Sequence, residues 1–252
     1  MDLDSIEYIP SQHSSPSSGT PTLIVLHSME CPMEEGRARS VAQWFGGADS
    51  PQASAHYLVD PATTICGVRP PNIAWHVGNA NWYSGGPSIG IEQTGYAAFS
   101  TDEWTSPLGL AQLDRVVDLV TSLCDRYGIP KTWLGTNELQ AGQHGISTHG
   151  IATAAGIGTD HTDPGPNWPV DVFMQKLNGP TSPKEDEEMS IILVDPRNRT
   201  HWHVSGNTKV RLTHVDQINA LKFLGAQVVD PAPQAWIDGL ALLPRNDPYA
   251  KK

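Results

Sequence analysis

The chain has 252 residues, and its 16 basic and 27 acidic side chains give a formal net charge of −11 at pH 7. This acidic balance argues against binding to nucleic acid or to an anionic membrane surface. No stretch approaches the roughly 18 consecutive apolar residues of a membrane span, and the first thirty residues lack a signal-peptide pattern, so we expect neither membrane insertion nor signal-directed export.

The cysteines indicate the redox environment. Cys31, Cys66 and Cys124 have no paired spacing, and an odd number leaves at least one thiol unpaired. We therefore expect no disulfide framework, which fits synthesis in a reducing cytoplasm.

The first third of the chain alternates strand and helix signals. Residues 1–22 are rich in serine and proline and predict an extended arm, after which the apolar run 23–26 predicts a strand. Apolar residues at helical spacing predict a helix over 34–45. Two further strands are predicted over 53–59 and 64–68, joined as a hairpin by an Asp-Pro turn.

The middle of the chain contains the clearest helix signal. A strand over 88–92 comes first, and then Ser106 can cap a helix whose apolar stripe runs to Gly128. Residues 142–153 predict a loop with a short strand, and a short helix is predicted over 170–177. Strands interleaved with helices predict the α/β class.

The composition changes abruptly at residues 180–189, which are charged, contain proline and cannot bury a core. We therefore predict one domain over 1–179, a linker over 180–189 and a small C-terminal α+β region over 190–252. In this region the sequence predicts three strands, over 191–194, 201–204 and 209–212. It also predicts a turn at 206–207 and a helix over 215–224.

His27 is the first candidate functional residue. It stands where the strand 23–26 ends and a polar loop begins, a position at which the strand fixes a side chain and the loop leaves it accessible. A single histidine there is more typical of a hydrogen-bonded structural residue, so a functional role requires partners.

Potential partners are concentrated in residues 148–166, which include His149, His161 and Asp163. Zinc hydrolases use imidazoles or carboxylates at three positions and leave the fourth for water, whose pKa the metal lowers to about 7. One histidine from a strand end and two ligands from this segment would meet that requirement. A polar surface loop is the alternative interpretation of the same spacing.

Five strings occur in order along the chain: Ile-Val-Leu-His-Ser at 24–28, Ala-Ser-Ala-His-Tyr at 53–57, Ala-Trp-His-Val-Gly at 74–78, Ser-Ile-Gly-Ile-Glu at 88–92 and Thr-Asp-Pro-Gly-Pro at 162–166. They resemble successive motifs of the type 2 N-acetylmuramoyl-L-alanine amidases, a family that includes bacteriophage endolysins, muropeptide-recycling amidases and peptidoglycan recognition proteins. The resemblance implies a single mixed central β-sheet flanked by helices, with one bound Zn²⁺.

Transferred to these positions, the resemblance implies that His27, His149 and Asp163 are the zinc ligands. Glu92 falls on the glutamate that positions or deprotonates the attacking water. His161 stands where many active relatives have a lysine, and a donor at that point would stabilise the oxyanion. His161 as a ligand in place of Asp163 stays open.

Two aromatic positions are candidates for substrate binding. Trp75 and His76 are expected to line a groove for the sugar-peptide substrate, although a core tryptophan and a turn histidine are equally consistent with the sequence. His56 is interpreted as a buried, hydrogen-bonded residue rather than a fourth ligand.

The resemblance implies zinc-dependent hydrolysis of the amide between N-acetylmuramic acid and L-alanine in peptidoglycan. The preferred context is a phage or prophage endolysin, made in the host bacterial cytoplasm without a signal peptide and reaching the wall through a separate holin-type pore. The region 190–252 would then bind the cell wall or another partner, with Trp202 and Trp236 as candidate glycan contacts. The alternatives are a cytosolic muropeptide-recycling amidase and a non-catalytic peptidoglycan recognition module.

Overall fold

Two compact units, Met1–Pro180 and Thr181–Lys252, divide the chain. The computed structural model describes residues 1–178, 191–195, 197, 201–205, 208–212, 227–229 and 241–242. Among these described residues, no helix has both the length and the apolar character needed to cross a membrane.

The first unit alternates strands and helices. Its strands are β1 (Glu7–Tyr8), β2 (Ser14–Ser15), β3 (Leu23–Ser28), β4 (Tyr57–Val59), β5 (Thr64–Cys66), β6 (Ile73–Ala74), β7 (Trp82–Tyr83), β8 (Gly86–Gln93) and β9 (Gly145–Thr148). Its α-helices are α1 (Arg37–Gly46), α2 (Thr101–Trp104), α3 (Pro107–Tyr127), α4 (Thr136–Gln140), α5 (His149–Ala154) and α6 (Val170–Asn178).

Seven of these strands form one mixed sheet. Its strand order is β1-β5-β4-β8-β3-β9, with β7 paired to β8. The pairs β4–β8, β8–β3 and β3–β9 are parallel, whereas β4 and β5 form the predicted antiparallel hairpin. Helices α3 and α6 pack on one face, and α1, α4 and α5 contribute to clusters on the other. The predicted α/β class, with a single mixed central sheet flanked by helices, is confirmed.

The alternation of side chains along β3 places the functional residues on one face of the sheet. Ile24 and Leu26 pack in the core under α3, while Leu23 and Val25 pack on the opposite face. Because successive side chains of a strand point to opposite faces, His27 continues the second set. The sequence therefore directs this imidazole away from α3.

The long helix α3 is bounded as the sequence predicts. The Ser106 hydroxyl accepts a hydrogen bond from the Gly109 amide, and Pro107 occupies the first turn, where its missing N–H has no cost. Gly128 ends the helix with φ of 70°, a conformation that glycine adopts without a steric penalty.

Residues 149–154 differ from the prediction of a loop, because they form α5. The helix is a little over one turn long and has no periodicity that a sequence pattern could reveal. The Thr148 hydroxyl caps it by accepting from the Ile151 amide, and Ala152 packs against the sheet with Leu23 and Val25. Tertiary packing therefore decides this helix.

The second unit contains the three predicted strands. These are β10 (Ile191–Val194), β11 (His201–Ser205) and β12 (Thr208–Leu212), which pair antiparallel in that order. Two further strands, β13 (Gln227–Val229) and β14 (Ala241–Leu242), complete a five-stranded sheet with order β13-β10-β11-β12-β14. The predicted turn at 206–207, the predicted helix over 215–224 and Trp236 lie outside the described residues.

His56 is buried and hydrogen-bonded, as interpreted from the sequence. Its Nε2 atom lies 2.8 Å from the Asn72 carbonyl oxygen, and its Nδ1 atom accepts from the Gly90 amide at 3.0 Å. This pattern requires a neutral ring with its proton on Nε2. Burial lowers the pKa of His56 to about 4.

The buried His56 makes stability depend on pH. Between pH 6.5 and 4 the unfolded chain binds this proton and the folded chain does not, so the free energy of unfolding falls as the pH falls. Lowering the pH from 7 to 5 is expected to reduce the free energy of unfolding by about 2 kcal/mol through the protonation of this residue in the unfolded chain. Chemical denaturation of the chelator-treated full-length chain measures it, with the non-titrating His56→Gln variant as reference. Equal pH dependence in both proteins would contradict the assignment.

Candidate metal centre

Three side chains meet at the carboxyl-terminal edge of the sheet. His27 is near the end of β3, and His149 follows β9 directly as the first residue of α5. Since β3 and β9 are parallel neighbours, both histidines lie at the same edge. Asp163 joins them from the loop before α6, where its carbonyl accepts from the Gly150 amide at 3.0 Å and its Oδ2 accepts from the Ser28 amide at 3.2 Å.

The converging atoms are close and shielded from solvent. His27 Nδ1 lies 3.1 Å from His149 Nδ1 and 3.1 Å from Asp163 Oδ2, and His149 Nδ1 lies 3.3 Å from Asp163 Oδ1. All three residues are buried. Within the described part of the chain, they form the one group of three or more histidine, cysteine, aspartate or glutamate side chains whose ligand atoms lie close enough together to hold a metal ion.

The residues present fit a metal ion. Ligand bonds of 2.0–2.1 Å in a tetrahedral site separate the ligand atoms by about 3.3 Å, which matches the distances between these atoms. Asp163 Oδ1 is buried and has no hydrogen-bond partner among the described residues. Such an atom is costly unless a cation or a donor satisfies it.

Outer hydrogen bonds set the tautomers that metal binding requires. His27 Nε2 lies 3.0 Å from His76 Nδ1, and His76 Nε2 lies 3.0 Å from the Ser88 hydroxyl. His149 Nε2 lies 2.7 Å from the Thr159 hydroxyl. With their protons on Nε2, both ligand histidines donate to these partners and present the Nδ1 lone pair to the centre.

His76 therefore lies behind the candidate ligand His27. Burial, with the nearby His27, His56 and His149, holds the pKa of His76 well below its ordinary value, so the ring stays neutral and its Nδ1 atom can accept a hydrogen bond from His27 Nε2. Its ring packs over Gly90, where an added Cβ would lie 2.6 Å from the imidazole. Glycine at this position leaves room for His76.

The charges of the three converging side chains favour a cation between them. Burial by itself lowers the pKa of His27, but the hydrogen bond to Asp163 and the negative charge of Glu92 outweigh burial and raise it. Burial opposes ionisation of Asp163, yet His27 and His149 hold its pKa below the ordinary value. A carboxylate is thus maintained in a buried position, where positive charge stabilises it.

Glu92 stands beside the centre. It is the register partner of His27 across β8 and β3, so both side chains extend from the same face of the sheet. Its Oε2 atom is buried without a hydrogen-bond partner among the described residues. Burial raises the pKa of Glu92 to about 7, where a carboxylate exchanges protons readily at neutral pH.

His161 covers the exposed side of the centre. Its side chain is 67 % exposed and stacks on the His149 ring with a centroid distance of 5.1 Å and an interplanar angle of 13°. Its Nδ1 atom lies 3.8 Å from Asp163 Oδ1, which is beyond hydrogen-bond distance. The converging set therefore contains Asp163 and not His161.

Trp75 extends away from the ligands, next to the N-terminal arm. The residue is 37 % exposed, and its ring stacks on His13 and donates from Nε1 to the Ser15 hydroxyl at 3.0 Å. The expected substrate groove along Trp75 and His76 stays a prediction.

Sequence reasoning did not identify three supporting residues: Ser28 and Thr159, which contact Asp163 and His149, and Ser88, which contacts His76. Ser28 and Ser88 lie within the motif strings, but a serine in a strand carries no signal of its own. Thr159 is adjacent to the Asp-His pair at 160–161, and no spacing rule connects it to His149.

The support of His27 by His76 can be tested through metal affinity. His76→Ala removes the acceptor for His27 Nε2 and is expected to weaken zinc binding about 10- to 100-fold, as for other outer partners of metal ligands. A competition titration with a chromophoric chelator measures the dissociation constant. The control is His144→Ala, since His144 is exposed and contacts the Ser84 carbonyl. Unchanged affinity in His76→Ala would contradict the support.

The mixed sheet and the His-His-Asp group define an α/β protein with a candidate metal site. A family model described as N-acetylmuramoyl-L-alanine amidase matches residues 17–166, and the chain belongs to this family. Members of the family are amidases, and the chain is an enzyme of this class. A search of curated protein sequences found no match.

Solved structures of similar fold include hydrolases from several bacteria. Staphylococcus aureus hydrolase AmiA, solved in complex with its ligand, is 17% identical with a TM-score of 0.50, and the match covers 69% of this chain and 83% of AmiA. A mutant endolysin from Bacillus subtilis is 16% identical with a TM-score of 0.46, covering 69% and 98%. The amidase LysC from Clostridium intestinale URNW is 18% identical with a TM-score of 0.45, covering 69% and 97%. The likeness to AmiA supports the fold.

Proposed function

We propose that this protein uses one zinc ion to hydrolyse the amide bond between N-acetylmuramic acid and L-alanine in peptidoglycan. The observation that carries the proposal is the convergence of His27, His149 and Asp163 with Glu92 beside them. Two imidazoles and one carboxylate at tetrahedral spacing form the donor set of catalytic zinc sites, which keep a fourth position open.

The protein side chains divide the remaining work. A bound zinc ion would supply Lewis acidity, activating water near neutral pH and polarising the amide carbonyl. Glu92 accepts a proton from the attacking water as the new C–O bond forms, and returns it to the L-alanine nitrogen as the C–N bond breaks. His161 donates a hydrogen bond to the oxygen that becomes negative, from the exposed side of the centre. The products are a lactyl carboxylate and a free alanine amine.

The preferred context is a phage or prophage endolysin, delivered to the wall through a separate holin-type pore. The second unit, Thr181–Lys252, supports this context, because a small soluble muropeptide needs no additional docking module. In this proposal the second unit binds cell wall, and Trp202 on β11 is a candidate glycan contact. The proposed function involves neither binding to nucleic acid nor insertion into a membrane.

A non-catalytic recognition module is the less favoured alternative. Such a module retains a groove and lacks part of the metal site. Here suitable side chains occupy all three ligand positions, and a glutamate, Glu92, stands beside them. The three ligand atoms lie close together.

The central test is digestion of purified cell wall by the wild type and by Asp163→Ala, with and without chelator. Removing a ligand or the metal is expected to reduce cleavage by about a thousandfold or more, since Lewis-acid stabilisation contributes several kcal/mol. The assay counts freed lactyl carboxylates and new alanine amines. Cleavage at the wild-type rate in both the variant and the chelated protein would refute the proposal.

The same assay on soluble muropeptides separates the two enzymatic contexts. An endolysin is expected to cleave intact walls faster than the equivalent concentration of free muropeptide. The reverse preference would favour the recycling alternative.

His161 has a separable role. His161→Ala is expected to retain the zinc dissociation constant, because the ring is not one of the three converging groups. Turnover should fall roughly a hundredfold, as when one oxyanion donor is removed. Paired measurements of zinc affinity and wall cleavage test both statements, and unchanged turnover would exclude the role.

A further inference from the structure

Glu30 has a strained backbone close to the metal centre. It lies in the loop that leaves β3 shortly after His27, and its φ of +49° is in the left-handed region. A residue with a side chain is sterically less favourable in this region than in the right-handed region. Residues strained in this way concentrate at functional sites, where the surrounding contacts maintain them.

The contacts of its carboxylate explain why Glu30 stays in this conformation. One oxygen, Oε1, accepts from the Ser28 hydroxyl at 2.7 Å and from the Ala97 amide at 2.8 Å. Ser28 ends β3, and Ala97 belongs to the loop that follows β8. The carboxylate therefore joins the two loops that leave the strands carrying His27 and Glu92.

Both residues held by Glu30 also contact the turn that contains Asp163. The Ser28 amide donates to Asp163 Oδ2 at 3.2 Å. Ala97 faces Gly165, where an added Cβ would lie 2.0 Å from the Ala97 carbonyl oxygen. Glu30 is therefore linked to the Asp163 turn in two ways. Ser28 makes a hydrogen bond to Asp163, and Ala97 packs closely against the backbone of Gly165.

We propose that Glu30 is a positioning residue of the metal centre: by holding Ser28 and Ala97 together, it sets the place of the Asp163 carboxylate relative to His27. The inference rests on the proposed metal-dependent function. Glu30 acts through these two neighbours and is not one of the three converging side chains. The strain at residue 30 is maintained because the left-handed backbone directs the carboxylate to both donors.

The decisive variant is Glu30→Gly, because glycine adopts this φ without strain. The change removes the carboxylate and its two hydrogen bonds but also relieves the backbone strain, so thermal unfolding of the chelated full-length protein should occur close to the wild-type temperature. The zinc dissociation constant should nevertheless rise about tenfold, in the range found for outer partners of metal ligands. Competition with a chromophoric chelator measures this constant without any assay of activity.

Two further variants separate positioning from general effects. Glu30→Gln keeps an amide oxygen that can accept both hydrogen bonds, so its zinc affinity should stay within about twofold of wild type. Ser84→Gly is the matched control, because Ser84 also has φ of +49° and lies in the turn between β7 and β8. Its hydroxyl donates to the Gly142 carbonyl at 2.8 Å, and its loss should leave zinc affinity unchanged.

The outcomes are distinguishable. Wild-type zinc affinity in Glu30→Gly would overturn the positioning role, as would a loss in Glu30→Gln as large as that in Glu30→Gly. A wild-type protein that binds zinc tightly but leaves walls uncut, with Glu30→Gly still weakened, would refute the proposed reaction and support the role of Glu30. A wild-type protein that binds no zinc would overturn both.

Discussion

The parallel register of β3 between β8 and β9 is the constraint on which the candidate site depends. It pairs His27 with Glu92 on one side and Leu26 with Thr148 on the other, so that His149 begins α5 beside His27. Two candidate ligands and the candidate proton acceptor thereby come from three adjacent strands of one sheet. A register shift of one residue would reverse the face of His27 and separate the group.

The sheet also determines which chemistry each face supports. Apolar side chains fill the face under α3, whereas the opposite face carries the buried imidazoles of His27 and His56 beside its own apolar clusters. Buried polar groups require hydrogen-bond partners, and the hydrogen-bonded series from His27 through His76 to Ser88 provides them. Asp163 Oδ1 and Glu92 Oε2 have no hydrogen-bond partner within the part of the chain that the structure describes, and a metal ion and a water molecule at the centre would contact them.

Much of the fold was predictable from local signals. The cap at Ser106, the stop at Gly128 and the apolar run of β3 each have a physical cause within a few residues. Helix α5 was not predictable, because six residues with no periodicity become helical only through the Thr148 cap and packing against the sheet. The edge strand β1 was also missed in the predicted arm, since its two residues gain stability from pairing with β5.

The α/β class, the family and the two histidines of the candidate metal group follow from the sequence alone, because strand periodicity and ordered motif strings are properties of the linear chain. The sequence left Asp163 and His161 as alternatives for the third position. How these residues act together became visible in the folded chain. It placed His76 behind His27 rather than with Trp75, brought Asp163 into the converging set ahead of its neighbour His161, and joined Glu30 to both loops. The physical reason is that hydrogen bonds over long sequence separation depend on strand register and loop packing, which no local pattern records.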